Sequence, residues 1–250
     1  PTDAFWGCES LTSYSIPTTV TTIGNGAFWG CFILSEIEIP STVTTIGDNA
    51  FSGCGELTSI VIPNSVTNLG RGFVQNCTNL TDVTLPSNIT TIPDDAFCGC
   101  ESLTTYSIPT TIKTIGDSAF SGYGLTEIVI PDSVETIENN AFYYCPSLES
   151  VTIPTSVTEI RGYAFGNCTS LESIDFKGTV SDWGNITKHS NWNKDSSIKY
   201  VSCSEGVVDC VTHELTHHEA VAPTCTEDGT IEYWDCSVCL KNFSDANGTT

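Results

Sequence analysis

The sequence predicts a repeat solenoid, built from stacked β-rich coils, followed by a small unit rich in cysteine and histidine. The prediction depends on an internal repeat, because proline and cysteine each recur at intervals of about 23 residues. The recurring residues are Pro17, Pro40, Pro63, Pro86, Pro109, Pro131 and Pro154, and Cys8, Cys31, Cys54, Cys77, Cys100, Cys145 and Cys168, with Tyr123 at the cysteine position between Cys100 and Cys145. Seven full periods and an amino-terminal half period cover about residues 1–176.

Each period predicts the same short elements in the same order. The side chains of residues 59–62 alternate between two faces, with isoleucine on one of them, which is typical of a half-buried strand that Pro63 ends. The β-branched residues 43–46 predict a second extended segment with a corner at Gly47. Residues 48–54 begin with N-cap-type side chains and predict a helical or 3₁₀ turn. Because one coil has too little apolar surface to fold alone, we expect coils to stack about 4.8 Å apart with like side chains in columns.

Two departures from the repeat make local predictions. In the fourth coil, Phe73 stands in the alanine column and Val74 in the phenylalanine column, so we expect local repacking there. The cysteine column favours buried thiols over disulfides, because stacked residues have parallel Cβ directions. Cys98 lies outside that column and is predicted to be an exposed thiol.

The recurring pattern Ile-Pro-x-x-Val-x-x-Ile-Gly-x-x-Ala-Phe-x-x-Cys-x-x-Leu resembles the BspA-type (Treponema-type) leucine-rich repeat over roughly residues 1–180. The resemblance implies the right-handed superhelix of leucine-rich repeats. It also implies a bacterial protein that is secreted or held at the cell surface and that binds host or microbial proteins, as adhesins do.

The residues after the repeats divide into a cap and a separate unit. Residues 177–205 are predicted to cover the apolar columns that the last coil would otherwise expose, using Trp183, Ile186 and Trp192. Residues 198–203 are predicted to add a final strand. Residues 206–250 form the small Cys/His unit, which resembles a short module of surface proteins from Gram-positive gut bacteria.

The Cys/His unit carries a candidate metal site. Cys210 and His213 form a C-x₂-H pair, and Cys236 and Cys239 form a C-x₂-C pair. Three cysteines and one histidine are a ligand set of structural tetrahedral zinc, and a unit of this size needs such a staple to fold. Disulfides in an oxidising compartment are the alternative, with Cys225 as a replacement ligand or a free thiol.

Charge and histidine positions exclude several functions. Thirty acidic residues against eight basic residues give a net charge of −22, which disfavours nucleic acid and anionic membranes as partners. No apolar run reaches the roughly 18 residues that a membrane helix needs. All four histidines lie at or after His189, so the repeats cannot form a Ser–His or Cys–His dyad. The sequence therefore predicts a protein that is not an enzyme and has no cofactor in the solenoid.

The outward side chains of the first strand in each coil form a candidate binding surface. Those predicted to contact a partner are Glu36, Glu38, Val61, Asp82, Thr84, Glu127 and Val129. An aromatic edge at Trp6, Trp29, Tyr143 and Tyr144 is a second candidate, because exposed aromatic residues often anchor interfaces. Acidic strips favour a basic protein partner at the cell surface or outside the cell. Two alternatives stay open: these residues only solvate the sheet, or the solenoid is a glycan- or cell-wall-associated spacer.

Overall fold

The computed structural model describes residues 1–122, 124–209, 215–218, 233–236 and 242–243. It divides the chain into two compact units, Pro1–Val208 and Asp209–Thr250. The elements in chain order are β1 (Ser13–Ser15), β2 (Thr22–Ile23), β3 (Glu36–Glu38), β4 (Thr45–Ile46), β5 (Ser59–Val61), β6 (Asn68–Leu69), β7 (Asp82–Thr84), β8 (Thr91–Ile92), β9 (Thr114–Ile115), β10 (Glu127–Val129), β11 (Thr136–Ile137), β12 (Ser150–Ile153), β13 (Glu159–Ile160), β14 (Ser173–Phe176), α1 (Val180–Asn185), β15 (Thr187–Lys188), β16 (Tyr200–Cys203), β17 (Gly206–Asp209), β18 (Leu215–His218), β19 (Tyr233–Cys236) and β20 (Asn242–Phe243).

The first unit is a solenoid whose equivalent strands pair in parallel. The first strands of the coils form the sheets β1-β3, β5-β7 and β10-β12-β14-β16-β17, and the second strands form β2-β4-β6 and β8-β9-β11-β13-β15. Ser13 pairs with Glu36 and Thr22 pairs with Thr45, so the register is set by the repeat length. The predicted solenoid and its columns are confirmed.

The backbone pairing of the second strands is interrupted between β6 and β8, and Pro93 explains the interruption. In neighbouring coils the corner glycine donates its N–H to the coil before it: Gly70 donates to the carbonyl of Ile46 at 2.8 Å, and Gly116 donates to the carbonyl of Ile92 at 3.0 Å. Proline has no N–H to donate, so this rung of the ladder is missing.

The turn predicted as helical or 3₁₀ is confirmed in part: the bonds within the coil run from residue i to residue i−3, as in a 3₁₀ turn, but alternate N–H groups bond to the next coil instead. Phe51 and Gly53 donate their N–H groups to the next coil, each at 2.8 Å, whereas Ser52 and Cys54 donate within their own coil at 3.1 and 3.3 Å. A helix would keep every one of these bonds internal. Left-handed backbone at Asn49 (φ 55°) and Gly53 (φ 72°) allows the alternation.

The core is a set of buried columns, in which phenylalanine rings stack along the axis. The rings of Phe120 and Phe142 lie 5.3 Å apart and 1° from parallel, and those of Phe142 and Phe165 lie 5.1 Å apart at 6°. In the fourth coil Phe73 instead meets Phe97 edge-on, at 5.8 Å and 72°, while Val74 is fully buried. The predicted local repacking is confirmed.

The cysteine column consists of free thiols, and those of Cys31 through Cys168 are buried. The Cys77 thiol donates to the Phe51 carbonyl at 3.1 Å, and the Cys168 thiol donates to the Phe142 carbonyl at 3.1 Å. Burial raises the pKa of the Cys100 thiol to about 12, so it stays protonated at neutral pH. The prediction that Cys98 is exposed is wrong, because it is half-buried beside Gln75.

A cap closes the carboxyl end of the stack. The Trp183, Ile186 and Trp192 side chains are buried, and the Trp183 ring lies 5.3 Å from Phe176. The strand predicted at 198–203 is β16, which pairs with β14. Among the described residues, no helix is long and apolar enough to cross a bilayer.

The second unit contains an antiparallel sheet with the order β18-β19-β20. Leu215 pairs with Cys236, so β18 begins at the end of the sheet where β19 stops. The predicted zinc ligands Cys210, His213 and Cys239, together with Cys225, lie outside the described residues, and Cys236 is described only as part of a strand.

Candidate binding surfaces

The outward side chains of the first strands form a surface along the coils, here called the ladder surface, although its strands pair in three separate sheets. Side chains alternate across a strand, so the first and third residues of each three-residue strand face outward together. The structure leaves all seven predicted contact residues exposed: Glu36, Glu38, Val61, Asp82, Thr84, Glu127 and Val129. Val61 and Val129 are 62% and 64% exposed, which is unusual for valine and places apolar groups among the carboxylates.

Carboxylates on the ladder surface alternate with hydroxyl groups. Glu36 pairs with Ser13, Asp82 with Ser59, and Glu127 with Ser150. Acidic residues in this column therefore recur every second coil, about 9.6 Å apart at the usual strand spacing. Because like charges directly opposite each other destabilise a sheet, the hydroxyl rungs permit a negative surface at little cost.

A groove and an ion pair lie at opposite ends of the ladder surface. Ser13, Glu36, Glu38 and Ser59 line a shallow groove of about 670 Å³ at its amino-terminal end. At the carboxyl end, Lys177 forms an ion pair with Asp175. The uncompensated negative charge therefore lies along the amino-terminal and central coils.

The described cations are occupied by contacts within the chain. Lys113 contacts Glu135 at 2.7 Å, and Arg161 contacts Glu138 at 2.8 Å and Glu159 at 3.0 Å. The Arg161 guanidinium is the main reason that the pKa of Glu159 is lowered. None of these ion pairs includes Glu36, Asp82 or Glu127.

The predicted aromatic edge is divided into two clusters. Trp6 and Trp29 lie 6.2 Å apart between ring centroids at the amino-terminal end. Tyr143 lies 6.3 Å from Tyr144 and 6.2 Å from Tyr163, several coils away. The coils between them carry Ser52, Gln75, Cys98 and Ser121 in the same column.

Sequence reasoning missed two exposed apolar residues in the coil that carries Trp29. Phe32 is 56% exposed and Ile33 is 41% exposed. A comparison within the repeat could have found them, because the equivalent pairs in other coils include the polar Thr78-Asn79 and Glu101-Ser102.

The part of the chain that the structure describes contains no cluster of three or more His, Cys, Asp or Glu side chains able to hold a metal ion. His189 lies on the surface with its ring nitrogen 3.5 Å from Glu159. The predicted zinc site belongs to the second unit, where its side chains are outside the described residues.

Comparison with other proteins identifies the repeat. A family model for the BspA type leucine rich repeat region matches in six copies, over residues 1–123 and 90–207. The chain belongs to the BspA-type leucine-rich repeat family. A comparison with curated proteins finds no match.

Solved structures of other leucine-rich repeat proteins are similar to this chain. A leucine-rich repeat protein from T. pallidum is 27% identical with a TM-score of 0.51, over 66% of this chain and 73% of that protein, which shows the shared solenoid fold. A leucine-rich cell surface protein from Faecalibacterium prausnitzii A2-165 is 25% identical with a TM-score of 0.39, over 76% of this chain. A leucine-rich repeat protein from Eubacterium ventriosum is 32% identical with a TM-score of 0.45, over 75% of this chain. This chain spans 66% of the Faecalibacterium protein and 43% of the Eubacterium protein.

Proposed function

We propose that the solenoid is a non-enzymatic binding protein, located outside the cell or on its surface, that engages a basic protein partner through the ladder surface. The observation that carries the proposal is the regular placement of Glu36, Asp82 and Glu127 on every second coil, with hydroxyl residues between them. The extracellular location and the adhesin-like role follow from what the BspA-type resemblance implies.

Rigidity supports a binding role for this surface. The strands that present these carboxylates are held by parallel backbone pairing and by fully buried columns beneath them, such as Ile60 and Ile128, each 2% exposed. The backbone that carries the carboxylates is therefore already ordered, so the conformational entropy lost on binding is mainly that of the exposed side chains. Complementary charge then accelerates encounter and selects basic partners.

The spacing of the carboxylates suggests a specific probe. A polyproline II peptide with lysine at every third position presents its lysines on one face, about 9.3 Å apart. That repeat nearly matches the ladder spacing of about 9.6 Å. A fluorescein-labelled (Lys-Pro-Pro)₄ peptide should therefore bind better than a peptide of the same composition whose lysines are contiguous.

Charge-neutral variants test the surface directly. The variant E36Q/D82N/E127Q should bind the (Lys-Pro-Pro)₄ peptide about tenfold more weakly in fluorescence anisotropy, since three exposed ion pairs contribute about 0.5 kcal/mol each. The control variant E101Q/D132N/E205Q removes the same charges at exposed positions outside the ladder column and should bind normally. Equal binding by both variants, or affinity that is unchanged between about 50 mM and 500 mM salt, would contradict the proposal.

The alternative role as a glycan- or cell-wall-associated spacer stays a prediction. A glycan array probed with the 250-residue chain tests it. Retention on glycans that survives high salt, with no binding to the basic peptide, would favour the spacer.

For the second unit we propose a structural zinc site formed by Cys210, His213, Cys236 and Cys239. The pairing of Leu215 with Cys236 supports it, because the start of β18 and the end of β19 lie at one end of the sheet. The C-x₂-H pair precedes β18 in sequence and the C-x₂-C pair begins at the last residue of β19. Zinc would hold this end of the unit together and would supply no catalysis. Elemental analysis of the purified chain, combined with a count of free thiols, separates zinc from disulfides.

A further inference from the structure

The amino-terminal coils expose a group of large apolar side chains away from the ladder surface. Trp6 is 64% exposed and Trp29 is 47% exposed, and Phe32 and Ile33, which follow Trp29 in the same coil, are also exposed. We call these four residues the aromatic patch. Exposed groups of this kind mark interaction sites more often than single exposed apolar residues do.

A column of glycines runs beside the aromatic patch. Gly7, Gly30 and Gly53 follow one another in a column, each with a left-handed φ between 65° and 72°. A Cβ atom at Gly30 would lie 3.8 Å from the Phe32 ring, and one at Gly53 would lie 3.9 Å from the Trp29 ring. The glycine column therefore lies next to the Trp29 and Phe32 rings, and Gly30 itself is buried.

Carboxylates border the patch. Glu9 occupies the position of Phe32 in the preceding coil, and Glu56 occupies the position of Ile33 in the following coil. The Glu56 N–H donates to the Phe32 carbonyl at 3.0 Å, which fixes these two coils side by side. Both carboxylates are exposed.

Competing cations are missing from this part of the sequence. Residues 1–70 contain six carboxylates and no lysine, arginine or histidine. The first cation is Arg71, which is paired with Asp95. No lysine, arginine or histidine of residues 1–70 therefore competes with an external cation for the exposed rings of Trp6 and Trp29.

We propose that the aromatic patch binds a segment of a partner protein in which arginine or lysine alternates with apolar residues. A cation within about 6 Å of a tryptophan ring is attracted by the ring face, and tryptophan is the strongest of the aromatic residues in this respect. The same chain makes this contact in the cap of the solenoid, where the Lys188 ammonium lies 4.6 Å from the Trp183 ring centroid. Phe32 and Ile33 take the apolar residues of the segment, and Glu9 and Glu56 contribute charge attraction.

The probe is a fluorescein-labelled peptide, Gly-(Arg-Leu)₄-Gly, with a counterpart in which citrulline replaces arginine. Citrulline keeps the shape of the side chain and removes its charge. The arginine peptide should bind the 250-residue chain at least about tenfold more tightly than the citrulline peptide. The variant W6A/W29A should lose about tenfold in affinity for the arginine peptide, although its net charge is unchanged.

A matched control removes exposed aromatic rings elsewhere. The variant Y144A/Y163A alters two exposed tyrosines of distant coils and should bind within about twofold of the unaltered chain. The variant F32T places a threonine in the column where Thr78 already stands, so it preserves the fold and should weaken binding by about threefold. Far-UV circular dichroism confirms that each variant is folded.

Two results would overturn this proposal. One is equal affinity of W6A/W29A and Y144A/Y163A for the arginine peptide. The other is equal affinity of the unaltered chain for the arginine and citrulline peptides. The proposal is independent of the ladder surface. W6A/W29A should weaken binding of the arginine peptide by the same factor whether it is made in the unaltered chain or in E36Q/D82N/E127Q.

Discussion

Replacing Phe142 with alanine tests whether the stacked phenylalanine column carries the stability of the solenoid. Phe142 is fully buried, with near-parallel rings on both sides, Phe120 at 5.3 Å and Phe165 at 5.1 Å. Truncation of a buried phenylalanine to alanine costs about 3–5 kcal/mol. Each aromatic pair contributes about 0.5–1.5 kcal/mol beyond the area buried, so we expect the upper end, about 5 kcal/mol.

Phe32→Ala is the control, because it is the same substitution at a side chain that is 56% exposed. It should lower the free energy of unfolding by only about 0.5 kcal/mol. In calorimetry the melting temperature should fall by about 15 °C for F142A and by about 2 °C for F32A. F142A should also broaden the urea transition followed by circular dichroism, because coils are stabilised by their nearest neighbours. Similar losses for the two variants would refute the column as the source of stability.

Three other predictions concern thiols, pH and metal. Under native conditions iodoacetamide should alkylate the exposed Cys8 and spare Cys100, whose pKa burial raises to about 12; peptide mapping that finds both alkylated would contradict the buried column. Arg161 lowers the pKa of Glu159 in the folded chain from its ordinary value of 4.5. The ion pair therefore stabilises the fold above pH 4.5, and this stabilisation is lost as the pH falls through the pKa of the folded state. E159Q should therefore be about 0.5 kcal/mol less stable at neutral pH, a difference that narrows in acid urea titrations. Elemental analysis should find about one zinc per chain and none in Cys236→Ser, with the melting temperature of the solenoid unchanged; a chain without zinc and with few free thiols removes the metal proposal.

The strands and core columns could be predicted because the repeat length fixes the register. Once Pro63 and its equivalents recur at a constant interval, Ile60 must stack on Val83, and the structure pairs them. The full hydrogen-bond pattern of the turn at residues 48–54 could not be predicted from local preference. Its backbone N–H groups alternate between their own coil and the next, and only the assembled stack supplies the second set of carbonyl acceptors.

The ladder surface was predictable for the same reason, since alternation along a strand leaves Glu36 and Glu38 facing outward once Ile37 faces inward. The aromatic edge is divided into two clusters because four coils without an aromatic residue at this position lie between Trp29 and Tyr143. Phe32 was missed because apolar residues are assigned to the core by default, and its column is otherwise polar or small.

Departures from the repeat have different consequences in buried and exposed columns. Phe73 departs from a buried column, and the structure absorbs it by turning its ring against Phe97 to 72°. Phe32 departs from an exposed column. Its ring leaves apolar surface in water and so adds little to the stability of the stack. Because Phe32 does not stabilise the stack, its presence needs another explanation. We propose that it contacts a partner together with Trp6 and Trp29. In a solenoid, the exposed positions that break their column are therefore the first places to look for binding, and F32T tests that reasoning at a single side chain.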